Sequence, residues 1–199
     1  MADLEARFSG QPLGLSLAWL SATTPEQQMI ALERMLDSCY IRLVDARKHN
    51  QDHDEDALSI QVVNMLEAAG VDAAHDRKIG GHCDITVKAM NNFLWIGEAK
   101  IHGGYDWLDA GFLQLSSRYG IAQRGRDRGE IIIYHRGKHS ADILRKWKIK
   151  LEAEHAEVAV TEDKIEPDLY FRTTHKCDAS GLDFCTRHKI VPMYFAPKK

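Results

Sequence analysis

Hydrophobic residues recur along this chain at two different periods, and the switches between them mark out the elements. From Met29 through Ile30, Leu32, Met35, Leu36, Cys39, Ile41, Leu43 and Val44, apolar positions fall at roughly helical spacing. Thr24 precedes this run as a cap and Pro25 occupies the first helical position, so a long helix is expected to about Arg47. Ahead of it, Gly10, Pro12 and Gly14 break any period, and residues 1–22 read as a loosely structured lead-in. The polar run at 48–54 reads as a hinge. A second helix begins near Glu55, with Leu58, Val62, Leu66 and Ala69 on one stripe and Gly70 as its stop.

The period then shortens. Two β-rich runs within residues 80–101 flank Asn91 and Asn92, the signature of a hairpin. Gly103 and Gly104 make a sharp turn into a third helix, Tyr105 to about Tyr119, with Leu108, Phe112, Leu115 and Tyr119 at core spacing. Trp107, Gly111, Gln114 and Arg118 share a different face of that helix. Residues 125–129 form an exposed basic loop, and Glu130 to His135 is a continuous apolar run of the kind a buried central strand shows. Ser140 is expected to cap a fourth helix through about His155, and two closing strands follow at 169–175 and 185–195. The order predicts an α/β fold, a mixed sheet flanked by helices. Residues 1–50 read as an N-terminal helical extension for packing or dimerisation, and 51–199 as the main domain.

Composition narrows the class without naming a chemistry. With 199 residues, 44% hydrophobic and 28% charged, the chain is long enough for one well-buried core. No apolar run approaches the roughly 20 residues of a membrane span, and residues 11–22 lack the basic start and length of a secretory signal, so a cytoplasmic protein is expected. Cys39, Cys83, Cys177 and Cys185 contain no Cys-x-x-Cys pair, which points to reduced thiols and away from a zinc ribbon.

Charge is uneven. The net value is −3, yet the segment 118–150 holds ten Lys and Arg residues against three acids. Arg118, Arg124, Arg126 and Arg128 open that segment and are the candidate contacts to a nucleic-acid backbone, although a solvated charged helix would look the same.

Chemistry concentrates in the hairpin. Alternation along a strand puts Glu98 and Lys100 on one face, with Gly97, Ala99 and Ile101 on the other. A lone Glu-x-Lys is ordinarily a surface salt bridge of small worth. Here Asp84 lies on the first arm of the same hairpin, with 13 residues between it and Glu98, and Glu55 or Asp56 opens the preceding helix.

This ordered set, an acidic helix, then Asp84, then Glu98-Ala99-Lys100, then a helix carrying Gln114 and Tyr119, resembles the PD-(D/E)XK nuclease superfamily, with a glutamine motif similar to that of RecB-like and Mrr-like members. Cys83 stands where proline is common in the superfamily, and the Gln114 to Tyr119 spacing is one residue longer than the commonest form. The resemblance spans about residues 54–136 and implies a restriction-endonuclease-like fold and metal-dependent hydrolysis of DNA, with RNA a lesser candidate. It implies that Asp84, Glu98 and the carbonyl of Ala99 hold Mg2+, for which Mn2+ could substitute, and that Lys100 orients or helps deprotonate the attacking water. Glu55, or Asp56 in its place, would hold a second metal or one of its waters, and Gln114 would anchor the lysine, a water or a phosphate. Hard divalent ions suit such oxygen ligands and stabilise charge on phosphorus.

Other residues carry weaker signals. His82 and His102 flank the motif and could line the site or lie on the surface. Tyr105 and Trp107 could stack on a base at its mouth or pack in the core. Cys177, Cys185, His175 and His188 match no tight zinc-ligand spacing. No phosphate-loop motif is present, so no nucleotide cofactor is expected. One site of this kind cuts one strand, so a homodimer or partner subunit is expected for double-strand cleavage. Restriction, phage defence and repair are all compatible roles. The alternative function is a nuclease-like fold used for nucleic-acid binding or assembly without catalysis.

Overall fold

The computed structural model describes residues 8, 10–119 and 122–197, excluding the side chains of Arg118 and Tyr119. The chain begins with α1 (Pro12–Ser21), α2 (Pro25–Asp45) and α3 (Glu55–Ala68). Strands β1 (Asp72–Lys78), β2 (His82–Lys88) and β3 (Leu94–Ile101) follow, then α4 (Tyr105–Gln114), which runs on through a π-helical turn at Leu115–Tyr119. The second half is β4 (Arg128–His135), α5 (Ser140–Glu154), β5 (Ala159–Glu162), β6 (Tyr170–Lys176) and β7 (Asp183–Pro192).

Local chemistry accounts for most of these boundaries. Thr24 and Gln27 form a reciprocal capping box at the start of α2, with Pro25 in the first turn. Asp54 caps α3 through the Ala57 N–H, and Gly70 takes the left-handed conformation just beyond its end. Asn91 and Asn92 both have positive φ, and the Phe93 N–H returns to Met90 O at 3.2 Å, the geometry of a tight hairpin turn.

Three expectations need correction. Residues 12–21 of the expected lead-in are helical, because Pro12 sits in the first turn, where its missing N–H costs nothing. Ser140 does not cap α5; His139 precedes the helix in a left-handed conformation, and the Ser140 hydroxyl bonds the His135 ring instead. Strands β1 and β5 were not anticipated. Both lie at sheet edges with few buried residues, so neither shows a strong apolar alternation.

The seven strands form one mixed sheet in the order β1-β2-β3-β4-β7-β6-β5. The central pairs β3–β4 and β4–β7 are parallel and the outer pairs antiparallel. Side-chain alternation divides the core between the two faces. Ile132 and Tyr134 of β4 join Trp95 and Ala99 beneath α2 and α3, while Ile131 and Ile133 join Phe112, Leu115 and Trp147 beneath α4 and α5. Leu32, Leu36 and Leu43 of α2 are fully buried in the first of these clusters, so the apolar stripe of that helix packs on the sheet. The described residues thus form an α/β fold with a mixed sheet flanked by helices, and they contain no helix long and apolar enough to cross a membrane.

Candidate active site

The hairpin arms β2 and β3 pair from Lys88↔Leu94 to Ile85↔Gly97, and there the ladder stops. Two carboxylates take over the next backbone donors on that edge of β3. Asp84 accepts the Ala99 N–H at 2.7 Å, and Glu55, from the first turn of α3, accepts the Ile101 N–H at 2.7 Å. In an extended strand the N–H and C=O of one residue point the same way, so the Ala99 carbonyl is directed to the Asp84 side of β3.

Glu98 and Lys100 project from the opposite side of β3 to Ala99, as alternation requires. Both are buried, 2% and 5% exposed. Lys100 Nζ lies 2.8 Å from Glu98 Oε1 and 3.8 Å from Glu55 Oε2. The other Glu98 oxygen, Oε2, is buried without a hydrogen-bond partner. An orphaned carboxylate oxygen in a dry site is costly unless a cation satisfies it.

Helix α4 covers this cluster closely. A Cβ on Gly111 would come within 3.1 Å of Lys100 Cε and 3.5 Å of Glu98 Cγ, so glycine there lets the helix approach the strand. One turn earlier Trp107, 49% exposed, donates its indole N–H to Glu55 at 3.1 Å and lays its ring 4.9 Å from Lys100 Nζ. The spacing of Trp107, Gly111 and Gln114 on one stripe anticipated this face; Gln114 is half-buried at its far end. Trp107 thus lies half exposed at the edge of the cluster and is not packed in the core.

Electrostatics make the cluster short of positive charge. Burial, then the neighbouring Asp84, push Glu98 up to about 7. Asp84 is raised as well, by burial and by Glu55 and Asp56, against the Ala99 N–H and Lys100. Burial alone would pull Lys100 down, but Glu98, Asp84 and Glu55 outweigh it and raise its pKa, so it stays an ammonium ion at neutral pH. Three carboxylates therefore share one cation. A hard divalent ion fits this donor set: Asp84, the unpartnered Glu98 oxygen and the Ala99 carbonyl offer oxygen atoms, with Glu55 beside them. The three side chains are not drawn as tightly as another trio, Asp109, Glu154 and His155, whose ligand atoms all lie within 4.8 Å of one another.

The remaining candidates are more dispersed. Asp56 turns away, 3.3 Å from His75 with its side chain 71% exposed. His82 is exposed and meets Asp76 at 2.7 Å. His102 is half-buried beside Tyr105 and His135. Arg124, Arg126 and Arg128 occupy the other end of β3: Arg128 pairs with Trp95, five residues before Lys100, or roughly 17 Å at strand rise. Gly125 O accepts the Leu94 N–H, and Arg124 faces Glu26 at the start of α2. The side chains of Arg118 and Tyr119 lie outside the described residues. His188 is fully buried with one ring nitrogen accepting from Trp147 and the other meeting Thr173, which leaves it no free position for zinc.

No protein-family model, curated protein or solved structure matches the chain. A functional reading therefore rests on the geometry of this site.

Proposed function

We propose that the chain is a Mg2+-dependent nuclease of the PD-(D/E)XK type that hydrolyses phosphodiester bonds in DNA, with RNA the poorer substrate. The observation that carries this reading is the buried, unpartnered Glu98 oxygen, set with Asp84 and Lys100 where the β2–β3 ladder ends. Buried acids are retained together at a cost that a bound dication removes.

When bound, Mg2+ supplies Lewis-acid stabilisation of the phosphoryl oxygens and a hydroxide source near neutral pH. The chain's own residues do the remaining work. Asp84 and Glu98 provide fixed negative ligands, each held at one oxygen by a hydrogen bond that sets its orientation. Lys100, kept protonated, donates to the attacking water and offsets charge developing on the phosphate, which makes it an electrostatic group rather than a base. Glu55 and Trp107 restrict where the ammonium sits. The exposed Trp107 ring offers a stacking surface for a base next to the scissile phosphate.

The test is incubation of the purified chain with plasmid, linear and single-stranded DNA in Mg2+, Mn2+ or EDTA, alongside Glu98→Ala and Lys100→Ala. Cutting that requires metal and falls about 10²–10³-fold in Lys100→Ala is expected. Metal-dependent cutting that persists unchanged in both variants would place the chemistry elsewhere.

A further inference from the structure

Helices α1, α2 and α3 meet without filling the space between them. They line a half-open groove of about 430 Å3, within the size range of small-ligand sites. Met35 and Cys39 of α2 and Leu66 of α3 form its buried floor, and Leu13 of α1, 53% exposed, stands at its rim. Met65 and Ala69, at the end of α3, complete the apolar lining.

The chemistry of the groove is one-sided. No aromatic ring lines it, so it offers no face on which a nucleobase would stack. No carboxylate lines it either, and its single charged residue is Arg42. Among the described residues Arg42 has no ion pair, whereas Arg172 and Arg187 are each tied to carboxylates. The Arg42 charge reaches the floor. Burial pushes the Cys39 thiol up to about 11, with Arg42 pulling it down and Asp37 adding to the rise. The thiol is therefore neutral near pH 7, and Asp37 is engaged by Arg187 and Lys189, so nothing in the groove balances the guanidinium. Met35, Cys39 and Arg42 follow one another at helical spacing over about 10 Å of α2, which sets the cation at one end of an aliphatic channel.

We propose that this groove binds an aliphatic carboxylate of medium chain length, its tail on Met35, Met65 and Leu66 and its carboxylate on Arg42. The two methionines adapt to a flexible chain, and the guanidinium fork matches a carboxylate with two parallel hydrogen bonds. Burial of the tail supplies affinity, and Arg42 selects for negative charge. Met65 lies ten residues along α3 from Glu55, or about 15 Å, so the ligand touches none of the hydrolytic carboxylates.

The experiment titrates the full-length chain at pH 7 by calorimetry with hexanoate, octanoate and decanoate, all below micelle formation. Decanol and decyltrimethylammonium serve as the uncharged and cationic controls. One site per chain is expected, tightening up to about tenfold for each two methylenes added, because a fully buried methylene is worth about fourfold in Kd. Decanol and the ammonium compound should bind about tenfold or more weakly than decanoate. Arg42→Gln, at an exposed position, should weaken decanoate about tenfold and leave decanol unchanged. Ala69→Leu narrows the groove and should weaken all three acids; melting curves show that each variant is folded, and Arg42→Gln keeps the test sound should Ala69→Leu fail to fold. No decanoate binding by the folded chain, equal affinity for decanol and decanoate, or undiminished decanoate affinity in either folded variant would overturn the proposal. Mg2+-dependent cleavage by Arg42→Gln should match wild type and is read separately, so a failure of the groove and a failure of the nuclease reading give different results.

Discussion

Glu55 accepts the backbone N–H of Ile101 at 2.7 Å and so pins the first turn of α3 to the end of β3, three residues from the motif glutamate and one from the lysine. The same carboxylate meets the Trp107 indole and lies 3.8 Å from Lys100, while its neighbour Asp56 faces His75 at the surface. Of the two acids that open α3, Glu55 is therefore the one that lies against Lys100. Glu55→Ala should lower cleavage about 10- to 100-fold, the usual effect of losing a group that orients a metal ligand or its neighbour. Asp56→Ala should leave cleavage near wild type. Steady-state rates on one DNA substrate decide this, and a larger loss in Asp56→Ala would reverse the assignment.

The strained charge of Glu98 should be visible in stability. Folding raises its pKa from an ordinary 4.5 to about 7, through burial first and Asp84 second. The folded chain thus holds a proton that the unfolded chain releases between those values. The associated stability is fully present below pH 4.5 and is lost as pH rises through about 7. Glu98→Gln cannot ionise, so in EDTA it should match wild type at pH 5 more closely than at pH 8, where its advantage approaches about 3 kcal/mol. Adding Mg2+ at pH 8 should stabilise wild type and leave the variant unmoved. Denaturant melts at the two pH values check both points, and equal stability at pH 8 would mean the carboxylate is not stressed.

Much of this site was legible because its signals are local. The Asn91–Asn92 turn, the alternation that pairs Glu98 with Lys100, and the Trp107-Gly111-Gln114 stripe all follow from residues a few positions apart. Features built from distant residues left no such trace. Nothing in the spacing ties Asp109 to His155, or Glu130 to Arg187, because strand order and helix packing bring them together. Local charge density does not by itself give place. Arg124, Arg126 and Arg128 are clustered, but the parallel register of β3 and β4 puts them at the end of the strands away from Lys100. The long α2 helix read equally well as a packing or a dimerisation element, since an apolar stripe does not declare what covers it; in the fold, the sheet does.

Trp107 separates positioning from substrate binding. Its N–H holds Glu55 and its ring sits over Lys100, yet half its surface remains exposed. Trp107→Phe keeps an aromatic ring to stack on but loses the N–H and part of the indole surface, so it should retain much of the single-strand affinity. Trp107→Ala loses both ring and N–H and should raise KM for single-stranded DNA about 10- to 100-fold, the range for one base stack, with a smaller change in kcat. Equal KM values for the Phe and Ala variants would show that no base stacks there.

Arg187 anchors a buried polar network that ties α2 to the sheet. Its Nε donates to Glu130 at 2.9 Å, its Nη1 reaches both Asp37 oxygens at 3.2 Å, and Tyr40 donates to the other Glu130 oxygen at 3.0 Å. Burial pushes Glu130 up to about 7 even with Arg187 opposing it. Removing the guanidinium alone leaves a fully buried carboxylate without its cation, so Arg187→Met should destabilise the fold by about 3–5 kcal/mol. Protonating Glu130 relieves that loss, so the effect should be smaller at pH 5 than at pH 8. Exchanging both partners for apolar residues, Glu130→Leu with Arg187→Met, removes the orphaned charge and should recover most of the stability. Guanidinium melts of the two single variants and the double variant close the cycle. Additive losses would show that the two side chains act independently; recovery in the double variant would show that the pair sets the geometry of α2 on the sheet more than it adds to net stability.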